Sequence, residues 1–119
     1  MTLQEAIRAA DAVKPNAFSE ADKTRWLNEA EGKVQLEVQL TPTEELRFYA
    51  WPDDAAETLL AAPPHDKLYP AYLAAMIDFA NGDYDRYQAT AAMFNSHFGD
   101  YMRWYAQTLR PADREGDDT

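Results

Sequence analysis

The sequence predicts a small, mainly α protein, and three observations carry that expectation. Apolar residues recur at spacings of three and four over most of the chain, residues suited to helix N-caps stand directly before these stretches, and Asn81-Gly82-Asp83 separates the last two stretches as a tight turn would. The expected architecture is a four-helix bundle-like subunit. It has a long C-terminal helical hairpin and a short β-hairpin or extended arm between helices two and three.

Each element follows from local chemistry. Thr2 and Glu5 have the spacing of a capping box, and Leu3, Ala6, Ile7, Ala10 and Val13 then keep helical period as far as Lys14-Pro15. Ser19 can cap a second helix with Asp22 at its third position. Trp26, Leu27, Ala30 and Val34 form its apolar stripe, which runs to about Gln39. Gly32 inside it costs about 1 kcal/mol relative to alanine and marks either a close helix crossing or a weak point.

Residues 41–64 lose the helical period and hold prolines at 42, 52, 63 and 64. Leu46, Phe48 and Ala50 alternate there with Arg47, Tyr49 and Trp51, which predicts a short strand. A second extended piece at residues 57–61 can pair with it across Pro52-Asp53-Asp54 as a projecting arm. Long ordered excursions in small domains are often functional.

A third helix starts near Asp66 and carries Tyr69, Tyr72, Leu73, Met76, Ile77 and Ala80, with Pro70 in its first turn, where a missing N–H costs least. Gly82 can supply the left-handed residue that ends it, and Asp83 can cap the next helix. The fourth helix places Tyr84, Tyr87, Ala91, Phe94, Phe98, Tyr101, Tyr105 and Leu109 close to a heptad seam, over about 40 Å. The domain is expected to span residues 1–109, with residues 110–119 as a flexible acidic tail.

At 119 residues, 46% hydrophobic and 13% aromatic, the chain can form one modest core. It has no cysteine, which excludes disulfides, thiolate metal sites and cysteine nucleophiles. With 21 acids against 11 bases its formal net charge is -10, so a nucleic-acid backbone is repelled rather than gripped. An acidic channel wall that a polyanion slides past remains compatible with that charge. Without a basic leader, an apolar h-region or an uninterrupted membrane span, the chain is expected to be cytosolic, with no membrane partner.

No residue pattern points to catalysis, a metal or a cofactor. His65 and His97 lie in different elements without ligand spacing, and they fit a turn and the edge of helix four. The Asn81-Gly82-Asp83-Tyr84-Asp85 run lacks the glycine and glutamate of a calcium loop, and helix capping explains it. The acidic pairs Glu29 and Glu31, Glu44 and Glu45, and Asp53 and Asp54 are expected on solvated surface. Most tyrosines should be core residues that turn their hydroxyls toward an edge.

Interaction residues are easier to nominate. Phe48, Tyr49 and Trp51 lie on the arm, where a small core can hardly absorb all three, so at least one face of the arm should meet a partner. Met93, His97 and Trp104 form a second apolar edge beside the helix-four seam. That stripe is wider than one partner helix needs, and a second contact surface follows.

The segments TLQEAIRAADAVKPNAFSEADKTRWLNEAEGKV and APPHDKLYPAYLAAMIDFANGDYDRYQATAAMFNSHFGDY, in that order, resemble small phage and prophage proteins of the head-to-tail connector, or neck adaptor, group. The most specific elements are the KPN turn, the RWLNEAEGKV stretch, the LYPAYLAAMIDFANGDYDRY hairpin and the AMFN motif, and the resemblance covers roughly residues 1–109. It implies a structural virion protein and not an enzyme: a subunit of a dodecameric ring under the portal protein. That ring extends the channel through which packaged DNA passes without specific binding, and docks the next neck, stopper or tail protein.

The same resemblance makes the tail, with Arg110 and Arg114, a portal-gripping segment. It makes residues 46–60, with Leu59 and Leu60, a contact to a neighbouring subunit or ring. The arm matches the group only loosely. It also places the chain in the virion neck, and in the host cytoplasm before assembly. The alternative is an acidic phage-encoded binding module that mimics DNA charge or inhibits a host factor.

Overall fold

In the computed structural model, which describes the backbone of residues 1–117 and the side chains of residues 1–108, the first helix, α1 (Leu3–Val13), begins at the expected capping box. The Thr2 hydroxyl accepts from the Glu5 amide, and the Glu5 carboxylate accepts from the Thr2 amide at 2.8 Å. The Thr2 amide, helped by the Thr2 side chain, holds the Glu5 carboxyl below its ordinary pKa. The next amides of this helix end are satisfied from far along the chain: Leu3 donates to the Glu57 carbonyl and Gln4 to that of Ala55.

The Lys14-Pro15-Asn16 turn is closed by a cluster of charges. Lys23 is 2% exposed. Its ammonium donates to both Asp11 oxygens at 2.9 and 3.0 Å and to the Asn16 side-chain oxygen. The Asn16 amide in turn donates to Asp11 and to the Lys14 carbonyl. Helix α2 (Glu20–Lys33) is capped by Ser19, which accepts from the Asp22 amide, and it continues through one wide π-turn at Val34–Val38. Its end therefore agrees with the sequence expectation, while its last turn is wider than an α-helix.

A short 3₁₀ turn at His65–Lys67 leads into α3 (Leu68–Ala80). Gly82, at φ 74°, turns the chain, and the Asp83 carboxylate accepts from the Arg86 amide at the start of α4 (Tyr84–Asp117). Phe79 packs on Tyr84 and Tyr87 at the tip, and Tyr72 meets Phe94 edge-on at 4.9 Å further along. Phe94, Phe98 and Tyr101 are buried on α4, whereas Tyr84, expected in the seam, is exposed. Buried Asp78 ties three helices together: it pairs with Lys14 at the end of α1 at 2.9 Å and accepts from Thr90 of α4.

The molecule is thus mainly α, four helices packed around one cluster of buried apolar residues. The helix α4 backbone continues through Asp117, past the expected end at Leu109. Side chains from residue 109 onward, those of Arg110 and Arg114 included, lie outside the described residues.

The expected β-hairpin is absent among the described residues. Residues 46–51 and 57–61 do not pair with each other, and the single bridge joins Thr2 to Thr58. The physical reason is competition for partners. The returning chain gives the Ala55 and Glu57 carbonyls to the first-turn amides of α1 that the capping box leaves free, and Leu59 donates to the Met1 carbonyl at 2.9 Å.

Replacing Asp11 leaves the buried Lys23 ammonium with Asn16 as its remaining partner. Asp11→Ala should therefore lower unfolding free energy by about 3 kcal/mol, read by urea denaturation, and the double variant Asp11→Ala/Lys23→Met should recover most of it.

Candidate interaction surfaces

Asn28, Glu31 and Gln35 are spaced by three and four, so they share one face of the second helix and its π-turn. That face binds the extended segment that begins the arm. Asn28 donates to the Tyr49 carbonyl and accepts from the Tyr49 amide, both at 2.9 Å. Gln35 does the same for Arg47, at 2.8 and 2.7 Å. Two side-chain amides thus replace a neighbouring strand, and the segment lies against α2 as a strap.

Glu31 stands between them with no solvent exposure. Its carboxylate accepts from the Tyr49 hydroxyl at 2.7 Å, the Tyr69 hydroxyl at 2.5 Å and the Leu60 amide at 3.0 Å. The Tyr69 hydroxyl accepts in turn from the Ala61 amide at 2.8 Å. The expectation of a solvated Glu29 and Glu31 pair fails for Glu31, since a buried carboxylate is tolerated where its oxygens are met by donors. Glu29 is exposed and accepts from Tyr72 at 2.6 Å. Burial, reinforced by Glu31, pushes the Tyr49 and Tyr69 hydroxyls far above their ordinary pKa; burial and Glu29 do the same for Tyr72.

The strap divides the nominated residues. Tyr49 and Leu59 belong to the buried core, and Trp51 and Leu60 pack partly buried against it. The core absorbs more of the arm than expected because the Tyr49 hydroxyl finds a partner inside it. Phe48, pointing the other way, is 55% exposed. Its ring lies over Gly32, where an added Cβ would sit 3.8 Å from it, so the glycine marks neither a helix crossing nor a tight contact. Phe48 and exposed Leu36 line a shallow depression of about 460 Å³, ringed by Arg25, Glu29, Lys33 and Glu37.

Trp104 is 42% exposed and packs against His65 with the rings tilted by 37° and their centroids 5.1 Å apart. Met93 and His97 border a second, apolar groove of about 440 Å³ between α1, α3 and α4. Sequence reasoning placed Met93 and His97 on an over-wide stripe but gave α1 no part in it, because Val13 read there as the last residue of the α1 apolar period, whereas it is exposed beside the groove. No group of three or more histidine or acidic side chains among the described residues could hold a metal ion, and no described helix is long and apolar enough to cross a membrane.

No family model matches this chain, and neither a curated protein nor a solved structure does.

Two outcomes test the buried network. Glu31→Gln removes one acceptor from a set of donors and should cost about 1–3 kcal/mol in urea unfolding. Unfolded tyrosine loses its proton near pH 10 while Tyr49, Tyr69 and Tyr72 keep theirs in the fold, so above that pH the unfolded state binds fewer protons. Stability should then fall by about 1 kcal/mol for each of the three between about pH 9 and about pH 11, most steeply above about pH 10, read from urea midpoints, with their phenolate absorbance rising only on unfolding.

Proposed function

We propose that this chain is a non-catalytic structural subunit of the head-to-tail connector of a tailed phage. It forms a ring under the portal, lengthens the DNA channel and docks the next neck or tail protein. The observation that carries the reading is the presence of two apolar surfaces with no residue in common, the Leu36 and Phe48 depression and the groove bordered by Val13 and Met93. A connector subunit must hold its own copies and a different protein at the same time, which requires separate surfaces.

The charge distribution supports the connector over a DNA-mimicking inhibitor. Glu31, Asp78, Asp11 and Asp66 are engaged inside the fold, by tyrosines, lysines and the terminal amine. These carboxylates are unavailable to a charge-mimicking face. The exposed remainder suits a channel wall that repels DNA phosphates.

Mixing the pure protein with portal protein should give a ring visible by electron microscopy. Phe48→Asp should abolish ring formation while leaving helical circular dichroism unchanged. A chain that stays monomeric with portal present, from a phage whose heads and tails still join after its gene is deleted, would overturn the proposal.

A further inference from the structure

The strap has two edges, and α2 closes only one of them. In an extended chain the amide and carbonyl of one residue point to one side and those of the next residue to the other. On the side facing α2, the main-chain groups of Arg47 meet Gln35 and those of Tyr49 meet Asn28. The opposite side belongs to Leu46, Phe48 and Ala50. The Leu46 amide donates to the Thr43 carbonyl. Ala50 is closed by Asp54, whose carboxylate accepts from the Ala50 amide at 2.8 Å and whose amide donates to the Ala50 carbonyl at 2.8 Å. The Phe48 amide, the Phe48 carbonyl and the Leu46 carbonyl have no hydrogen-bond partner among the described residues.

These three groups form a short strand edge, one donor and two acceptors in a row. Phe48 is exposed, so a second chain can reach it. An antiparallel strand satisfies all three groups: the residue opposite Phe48 exchanges two hydrogen bonds with it, and the residue two further on gives its amide to Leu46. The side chain opposite Phe48 then lies on the same face of the pair as the Phe48 ring and covers it.

The same geometry argues against a second copy of the strap as the added strand. Two straps paired antiparallel about Phe48 place Leu46 of each opposite Ala50 of the other. The Ala50 amide already donates to Asp54, so each Leu46 carbonyl meets a carboxylate instead of a donor. The added strand must bring a free amide to that position, which the strap does not.

We propose that the outer edge of the strap, at Leu46 and Phe48, is a docking site for an extended segment of a different protein, which adds to it as an antiparallel strand with an apolar side chain opposite Phe48. Strand addition takes its affinity from main-chain hydrogen bonds and its selectivity from alternate side chains. The proposal deepens the connector reading and rests on it: it assigns the Phe48 side to the different protein and states the chemistry of that protein's contact.

The test uses the full chain and a fluorescent peptide of about seven residues in which valine alternates with serine, long enough to span the edge. Two derivatives are N-methylated, one at every valine amide and one at every serine amide. The parent peptide should bind saturably. Methylation of the valines, whose amides face the strap when valine lies opposite Phe48, should weaken binding tenfold or more, and methylation of the serines should leave it within about threefold. Hydrogen exchange of the Phe48 amide, followed by NMR, should slow at least tenfold with the parent peptide. Phe48→Ala, at an exposed position and so compatible with folding, should weaken the parent peptide tenfold or more.

Equal binding of the two methylated peptides, unchanged exchange at Phe48 under saturating peptide, or no saturable binding of the parent would overturn the proposal. So would sedimentation showing that the wild-type chain self-associates and that Phe48→Ala is monomeric, which assigns the edge to a second copy. Ring formation with portal is a separate measurement, so failure of the strand edge and failure of the connector reading are distinguishable.

Discussion

The Glu31 carboxylate is the interaction on which the arrangement of the other segments depends. A carboxylate removed from water costs several kcal/mol unless donors replace the lost hydration. Here the donors come from three separate places: the outgoing strap at Tyr49, the returning chain at Leu60 and helix α3 at Tyr69. None of these segments can move away without stranding a buried charge. A stretch of chain with four prolines and little regular structure thereby acquires one conformation.

The same device recurs at the joints between helices. Lys23 and Asp11 join α1 to α2, Lys14 and Asp78 join α1 to α3, and the terminal amine and Asp66 hold the chain's start against the turn before α3. Each pair also has hydrogen-bonding neighbours or little exposure, unlike the exposed pairs such as Arg25 and Asp22, which contribute about 0–1 kcal/mol. A core of modest size is thus joined at its corners by charges. Formal net charge overstates how much acid faces solvent.

The helices were legible because their signals are local. The Thr2 and Glu5 box, the Ser19 cap and the Asn81-Gly82-Asp83 turn each act within a few residues, and each occurs where the sequence places it. The arm was not legible, because its partners are distant. Alternating Phe48 and Tyr49 read as a strand, and the segment is extended, but its hydrogen bonds go to Asn28 and Gln35, whose side chains carry no mark of that role. Glu31 was read as surface for the same reason: an acidic residue signals burial only through tyrosines that stand 18 and 38 residues away. Of the nominated contact residues, Phe48 and Trp104 are exposed, while Tyr49 and Leu59 serve the core.

The strap is held to α2 by the backbone amides and carbonyls of Arg47 and Tyr49, and only one of its side chains, that of Tyr49, is buried. The side chains of Arg47, Phe48 and Ala50 are therefore not required to keep it in place. Single substitutions at those three positions can change the shape and charge of the outer surface while the scaffold stays the same, without passing through an unfolded intermediate.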